Sequence, residues 1–134
     1  MNKSRMLHTM LRVGDMQRSV EFYTNVMGMR ILRTYEHAEE NYSLTFLGYG
    51  EEVDTCVLEL TFNYGVTHYD KGNAYGHIAI GVDNCERACA TVAERGGKVT
   101  YGPTLMDGLG EIIAFVKDPD DYQIELVERP AERL

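Results

Sequence analysis

No stretch of this chain approaches the ~20 consecutive apolar residues of a transmembrane helix, which argues against a membrane role. The chain opens Met1-Asn2-Lys3-Ser4-Arg5 and runs into a strand-like segment without the apolar core of a secretory signal, so a cytoplasmic setting is expected. Basic residues are scarce: 13 Lys and Arg stand against 21 Asp and Glu, a formal net charge of −8. With no basic run to neutralise phosphates, nucleic acid is excluded as a partner. An anionic substrate would have to be held by a few local cations against a repelling field. Cysteine is limited to Cys56, Cys85 and Cys89, an odd number at spacings that match no zinc motif. Reduced thiols packed as small apolar side chains are the expectation. The rest of the composition, 44% hydrophobic and 25% charged over 134 residues, suits one domain over 1–134 that buries a core without disulfides.

What the chain does contain is a repeat. Leu7-His8-Thr9-Met10-Leu11-Arg12-Val13 is followed 69 positions later by Gly76-His77-Ile78-Ala79-Ile80-Gly81-Val82. At the same offset Arg18 falls on Arg87 and Gly28 on Gly97. Val57-Leu58-Glu59-Leu60 is echoed by Gln123-Ile124-Glu125-Leu126 at an offset of 66. Each copy therefore begins with a strand histidine and closes with a strand glutamate.

Hydrophobic periodicity turns each copy into a βαβββ module. Residues 6–13 alternate, with His8, Met10 and Arg12 on one face. Asp15 can cap a helix whose apolar stripe is Val20, Phe22, Tyr23, Val26 and Met27, and Gly28 supplies the stop. Strands are predicted at 29–35, 42–49 and 55–62. The second copy opens at Gly76, with Asn84 as cap, a helix ended by Gly96-Gly97, and strands near 98–102, 111–117 and 122–128. The fold class is thus α+β, with module 6–62 and module 76–128 joined by a polar linker, 63–75. The tail 129–134 is polar and expected to fray.

Taken singly, His8 and His77 read more readily as core or edge histidines, and Glu59 and Glu125 as outward salt-bridging residues. Their equivalent places in two copies change that. In both closing strands the face opposite the glutamate is fully aliphatic (Leu58 and Leu60, Ile124 and Leu126), so the strand is expected to be central and half buried. A carboxylate there needs a partner or a metal. Pairing the two copies about a pseudo-twofold axis would bring two imidazoles and two carboxylates together. That set suits an octahedral divalent ion such as Ni²⁺, Co²⁺ or Mn²⁺, with Zn²⁺ also admissible. It also leaves a carboxylate able to act as a base. Arg12, four residues along the His8 face or roughly 13 Å at ~3.3 Å per residue, can reach a substrate carboxylate or pair with a nearby acid. His37 and His68 are expected in exposed loops. Cys85 and Cys89, four residues apart, form one stripe of the second helix.

The runs LHTMLRVGD, EFYTNVMGMRILR, FLGYG, VLELTFNYG, AYGHIAIGVD and IIAFVKDPDDYQIEL together resemble the glyoxalase I (lactoylglutathione lyase) family of the vicinal-oxygen-chelate superfamily, over about Met6 to Glu128. The resemblance implies paired βαβββ modules and a homodimer with active sites at the subunit interface. His8 and Glu59 of one subunit would join His77 and Glu125 of the partner subunit around one metal. The short form is similar to the bacterial Ni²⁺- or Co²⁺-activated type. The implied reaction isomerises the hemithioacetal of methylglyoxal and glutathione to S-lactoylglutathione. Proton transfer through an enediolate would use Glu125 as base and Glu59 to assist. Arg12 and Asn63 match positions that hold the glutathione part.

Two features depart from the family pattern. The DPDG turn is here Asp118-Pro119-Asp120-Asp121, which asks a non-glycine to take a left-handed conformation. The loop Thr104–Glu111 is acidic where relatives often carry a lysine. The superfamily also contains metal-dependent thiol transferases and metal-free small-molecule-binding proteins, and these remain the competing readings. The first need not use Glu59, and the second needs none of the four ligands.

Overall fold

The computed structural model describes residues 3–130, so the last four residues of the expected fraying tail lie outside the described part. Its backbone contacts divide into two compact units, one ending at Asp70 and the other beginning at Lys71.

The first unit runs β1 (His8–Arg12), α1 (Met16–Glu21), a π-helical turn Phe22–Val26, β2 (Arg30–His37), β3 (Tyr42–Gly48) and β4 (Val57–Asn63). Its sheet has the order β1-β4-β3-β2. β1 and β4 are parallel with His8 opposite Val57, Met10 opposite Glu59 and Arg12 opposite Thr61, and the other pairs are antiparallel. The second unit repeats this with β5 (Ile78–Gly81), α2 (Cys85–Glu94), β6 (Lys98–Met106), β7 (Glu111–Lys117) and β8 (Gln123–Glu128), in the order β5-β8-β7-β6. Both closing strands, β4 and β8, are therefore interior strands, as their aliphatic faces require.

Each helix starts where its cap predicts. The Asp15 carboxylate accepts from Arg18 N–H at 3.1 Å, and the Asn84 side chain accepts from Arg87 N–H at 2.8 Å; such a cap contributes about 1 kcal/mol. The helices then diverge. The first widens into a π-turn, with Met27 N–H bonded to the Phe22 carbonyl, and Thr24 Oγ1 donating to the Val20 carbonyl at 2.7 Å. A threonine bonding back to the preceding turn loosens the α ladder. The equivalent position of α2 is Ala93, which has no hydroxyl, and α2 stays α-helical throughout. Between helix and sheet, Val13, Tyr23, Leu47 and Leu60 in the first unit and Cys85, Val116, Ile124 and Leu126 in the second are all essentially fully buried.

The change of offset from 69 to 66 has a simple origin. The β3–β4 connection, residues 49–56, is three residues longer than the β7–β8 connection, residues 118–122. In the shorter one Asp121 takes φ +67°, the left-handed conformation anticipated from the missing glycine. The buried Asp118 carboxylate ties this turn by accepting from Asp120 and Tyr122 N–H at 2.8 and 2.9 Å.

Three expectations are corrected. His37 is not in a loop: it ends β2 and stacks on Tyr42 across the hairpin, ring centroids 5.2 Å apart. The segment 104–111 is largely strand, because β6 continues to Met106 and pairs with Glu111, leaving only a four-residue turn. Glu111 is also balanced by Arg129 Nε at 2.9 Å, so the acidity of this region is partly neutralised. Cys56 is exposed, whereas Cys85 and Cys89 are buried in the α2 stripe as expected.

Candidate metal and active site

His8 opens β1, whereas His77 is not a strand residue as expected but immediately precedes β5 (Ile78–Gly81); each histidine nonetheless meets the glutamate of its own unit. His8 Nε2 lies 3.0 Å from Glu59 Oε1, and His77 Nε2 lies 3.4 Å from Glu125 Oε1. The carboxylates are sunk, with side chains 12% and 18% exposed, while the imidazoles stand at the rim at 41% and 40%. Each pair therefore offers its lone pairs on an open side and keeps its costly carboxylate covered by the strand neighbours.

A third member of each pair is missed by reading only titratable residues. Phe46 lies directly across from Glu59 and stands edge-on to His8, centroids 5.7 Å apart at 84°. Phe115 lies across from Glu125 and edge-on to His77, 5.3 Å apart at 71°. The signal was available: Phe46 and Phe115 are also 69 residues apart. An apolar ring against the imidazole fixes the ring's orientation, and a fixed donor is what a ligand site requires.

The two units differ around this shared core. Thr61 Oγ1 approaches Glu59 Oε2 at 3.4 Å, whereas the equivalent of Thr61 is Val127, which has no hydroxyl. Arg33 lies over the Phe46 face, 3.8 Å from the ring centroid. Its Nε and Nη2 donate to Glu52 Oε2 and Oε1 at 2.7 and 3.1 Å, and this fork holds the Glu52 carboxyl below the usual carboxylate range. In the second unit the residue opposite Phe115 is Tyr101, in a tilted ring contact at 6.1 Å.

Arg12 and Asn63 lie at one end of the β1–β4 pair. Arg12 is exposed opposite Thr61, and Asn63 follows Thr61 by two residues on the same face. Asn63 Nδ2 donates to the Tyr69 hydroxyl at 3.0 Å. His8, Met10 and Arg12 together with Glu59, Thr61 and Asn63 thus form a ledge that leads from the His–Glu pair to a cation and an amide. His68 is exposed in the chain after β4. Among the described residues, no group of three or more His, Cys, Asp or Glu side chains converges. Each unit by itself supplies two donors.

The donor chemistry fits a divalent ion: in each unit an imidazole nitrogen and a carboxylate oxygen lie close together at the surface. The sequence profile of the Glyoxalase/Bleomycin resistance protein/Dioxygenase superfamily matches residues 5–126, and the chain belongs to this superfamily. The particular relatives are lactoylglutathione lyases. The one from Salmonella typhimurium is 59% identical over 124 residues, 92% of each chain. Among solved structures, glyoxalase I from Leishmania major, described as trypanothione-dependent, is 49% identical with a TM-score of 0.84, covering 94% of this chain and 87% of that one. Glyoxalase I from Zea mays is 42% identical with a TM-score of 0.90, and this chain covers 44% of the maize chain.

Proposed function

We propose that this chain is a lactoylglutathione lyase that isomerises the methylglyoxal–glutathione hemithioacetal to S-lactoylglutathione and so detoxifies methylglyoxal. The observation that carries the reading is the duplicated His–Glu pair, sunk carboxylate and rim imidazole, in a chain 59% identical to an enzyme of that name. Both units act together as one domain in this reading. His8 and Glu59 join His77 and Glu125 of the partner subunit in a homodimer, since each unit alone offers two donors and a divalent ion takes four or more. Ni²⁺ is the proposed ion, with Co²⁺, Mn²⁺ or Zn²⁺ as substitutes. When bound, it supplies Lewis-acid stabilisation of the negative charge that develops on the substrate oxygens.

The protein side of the mechanism follows from the ledge. Arg12 and Asn63 hold the glutathione part at one end of β1 and β4, which places the reacting carbons near the His–Glu pairs. Glu125 removes the C1 proton and returns it to C2; Glu59, bonded by Thr61, stays in place and assists. Three free thiols support a cytoplasmic setting for this work.

The test is an isomerase assay of chelated protein reconstituted separately with Ni²⁺, Co²⁺, Mn²⁺ and Zn²⁺. Restoration by one or more of them is expected, with Glu59→Gln impaired. No isomerisation with any ion would sink the glutathione assignment. Full activity in Glu59→Gln would sink the four-ligand site.

A further inference from the structure

The two His–Glu pairs are not supported in the same way. Behind His8 and Glu59 runs a continuous line of contacts that begins in the longer β3–β4 connection. Arg5 Nη2 donates to the Glu52 carbonyl at 2.6 Å and its Nη1 to the Thr55 carbonyl at 3.3 Å, which fixes the backbone of that connection. From there the Glu52 carboxylate forks onto Arg33, 2.7 and 3.1 Å. Arg33 lies over the Phe46 ring, and Phe46 makes a T-shaped contact with His8 and faces Glu59 across the strands.

Among the described residues, the second unit shows a ring contact and no Arg–carboxylate fork at this place: Tyr101 meets Phe115 at 6.1 Å. Tyr101 takes the register position of Arg33. The β7–β8 connection lacks the three residues by which its counterpart is longer, and so has no place for a second Glu52.

We infer that Arg33 and Glu52 are positioning residues that lock His8 and Glu59 in ligating geometry. A bidentate Arg–carboxylate fork has one geometry, and a guanidinium against a ring restrains that ring. The restraint is passed to the imidazole through the edge contact. This inference rests on reading His8 and Glu59 as metal ligands.

The experiment measures Ni²⁺ affinity by competition with a chromophoric chelator, and the visible absorption of the Co²⁺ form, for the wild-type dimer and for Arg33→Met, Glu52→Gln and Glu51→Gln. Arg33→Met keeps a stem over Phe46 but loses the fork. Glu52→Gln loses the charge and leaves Arg33 intact, so it serves if the first variant folds poorly. Both are expected to lose about ten- to a hundred-fold in Ni²⁺ affinity, the usual cost of removing a group that orients a ligand, and to shift the Co²⁺ spectrum. Arg33→Lys, with the charge but no planar fork, falls between them and wild type. Glu51→Gln breaks only the Arg30–Glu51 pair of the same connection, 2.8 Å, and keeps wild-type affinity. Wild-type affinity and spectrum in Arg33→Met and Glu52→Gln would overturn this inference alone. Absence of Ni²⁺ binding by the wild-type chain would overturn the ligand reading and this inference with it.

Discussion

His8 Nε2 and Glu59 Oε1 meet at 3.0 Å on two parallel strands, β1 and β4, whose register sets Met10, not His8, opposite the glutamate. The contact is therefore diagonal: the imidazole reaches along the face over two residues to find the carboxylate. His77 and Glu125 repeat it at 3.4 Å, with Ala79 in the opposite position.

The two carboxylates differ in the roles proposed for them. Glu125→Gln should lower kcat by about a hundred-fold or more, the scale of a lost general base, while Glu59→Gln should lose metal affinity first and activity as a consequence. Steady-state kinetics at saturating Ni²⁺ separates the two, because excess metal recovers part of the activity of Glu59→Gln and none of that of Glu125→Gln. Recovery of Glu125→Gln by metal would reverse the assignment.

Arg12→Ala removes a cation from the far end of the ledge without touching the His–Glu pair. The expected result is a KM raised about tenfold, as for loss of one charge-assisted hydrogen bond, with kcat nearly unchanged. The effect of wild-type Arg12 should also weaken with added salt. A fall in kcat with KM unchanged would place Arg12 in the chemistry instead.

Burial pushes the Cys85 thiol up to about 12 from 9.0 and raises that of Cys89. A group whose folded pKa is raised stabilises the fold below its unfolded pKa and loses that contribution as pH climbs toward the folded value. Stability should accordingly fall between about pH 9 and 12, and Cys85→Ala should flatten part of that slope in thermal melts. Under native conditions iodoacetamide should modify the exposed Cys56 and spare Cys85 and Cys89 until the protein is denatured. Mass spectrometry of the labelled chain decides it.

Asp121 holds φ +67° in the β7–β8 turn. Asp121→Gly should raise stability by about 0.5–1 kcal/mol, the left-handed strain relieved less the entropy that glycine adds to the unfolded chain. The urea midpoint at constant slope is the measure. A lower midpoint would mean that the Asp121 side chain contributes more than its backbone costs.

Much of this molecule was legible because duplication writes its constraints twice. The helix caps Asp15 and Asn84 and the aliphatic faces of β4 and β8 sit where period and offset predict, since burying one face of a strand fixes which side chains face the other way. The Phe46–Phe115 pair was legible too, but only to a reader looking past titratable groups. His37 was misplaced because a strand that ends in polar residues has no periodic signal at its last turn. The π-turn was not foreseen, since its Thr24 back-bond is one hydroxyl among many until the turn is built.

By itself, the sequence determined the two βαβββ modules and the repeated histidine and glutamate positions, because these depend on local periodicity and a repeat offset. Only the tertiary structure decided that each histidine meets the glutamate of its own unit, that Phe46 and Phe115 stand against them, and that the Arg33–Glu52 fork stands behind His8 and Glu59. Those contacts join residues up to 51 positions apart in sequence, and strand register and connection length, not composition, bring them together.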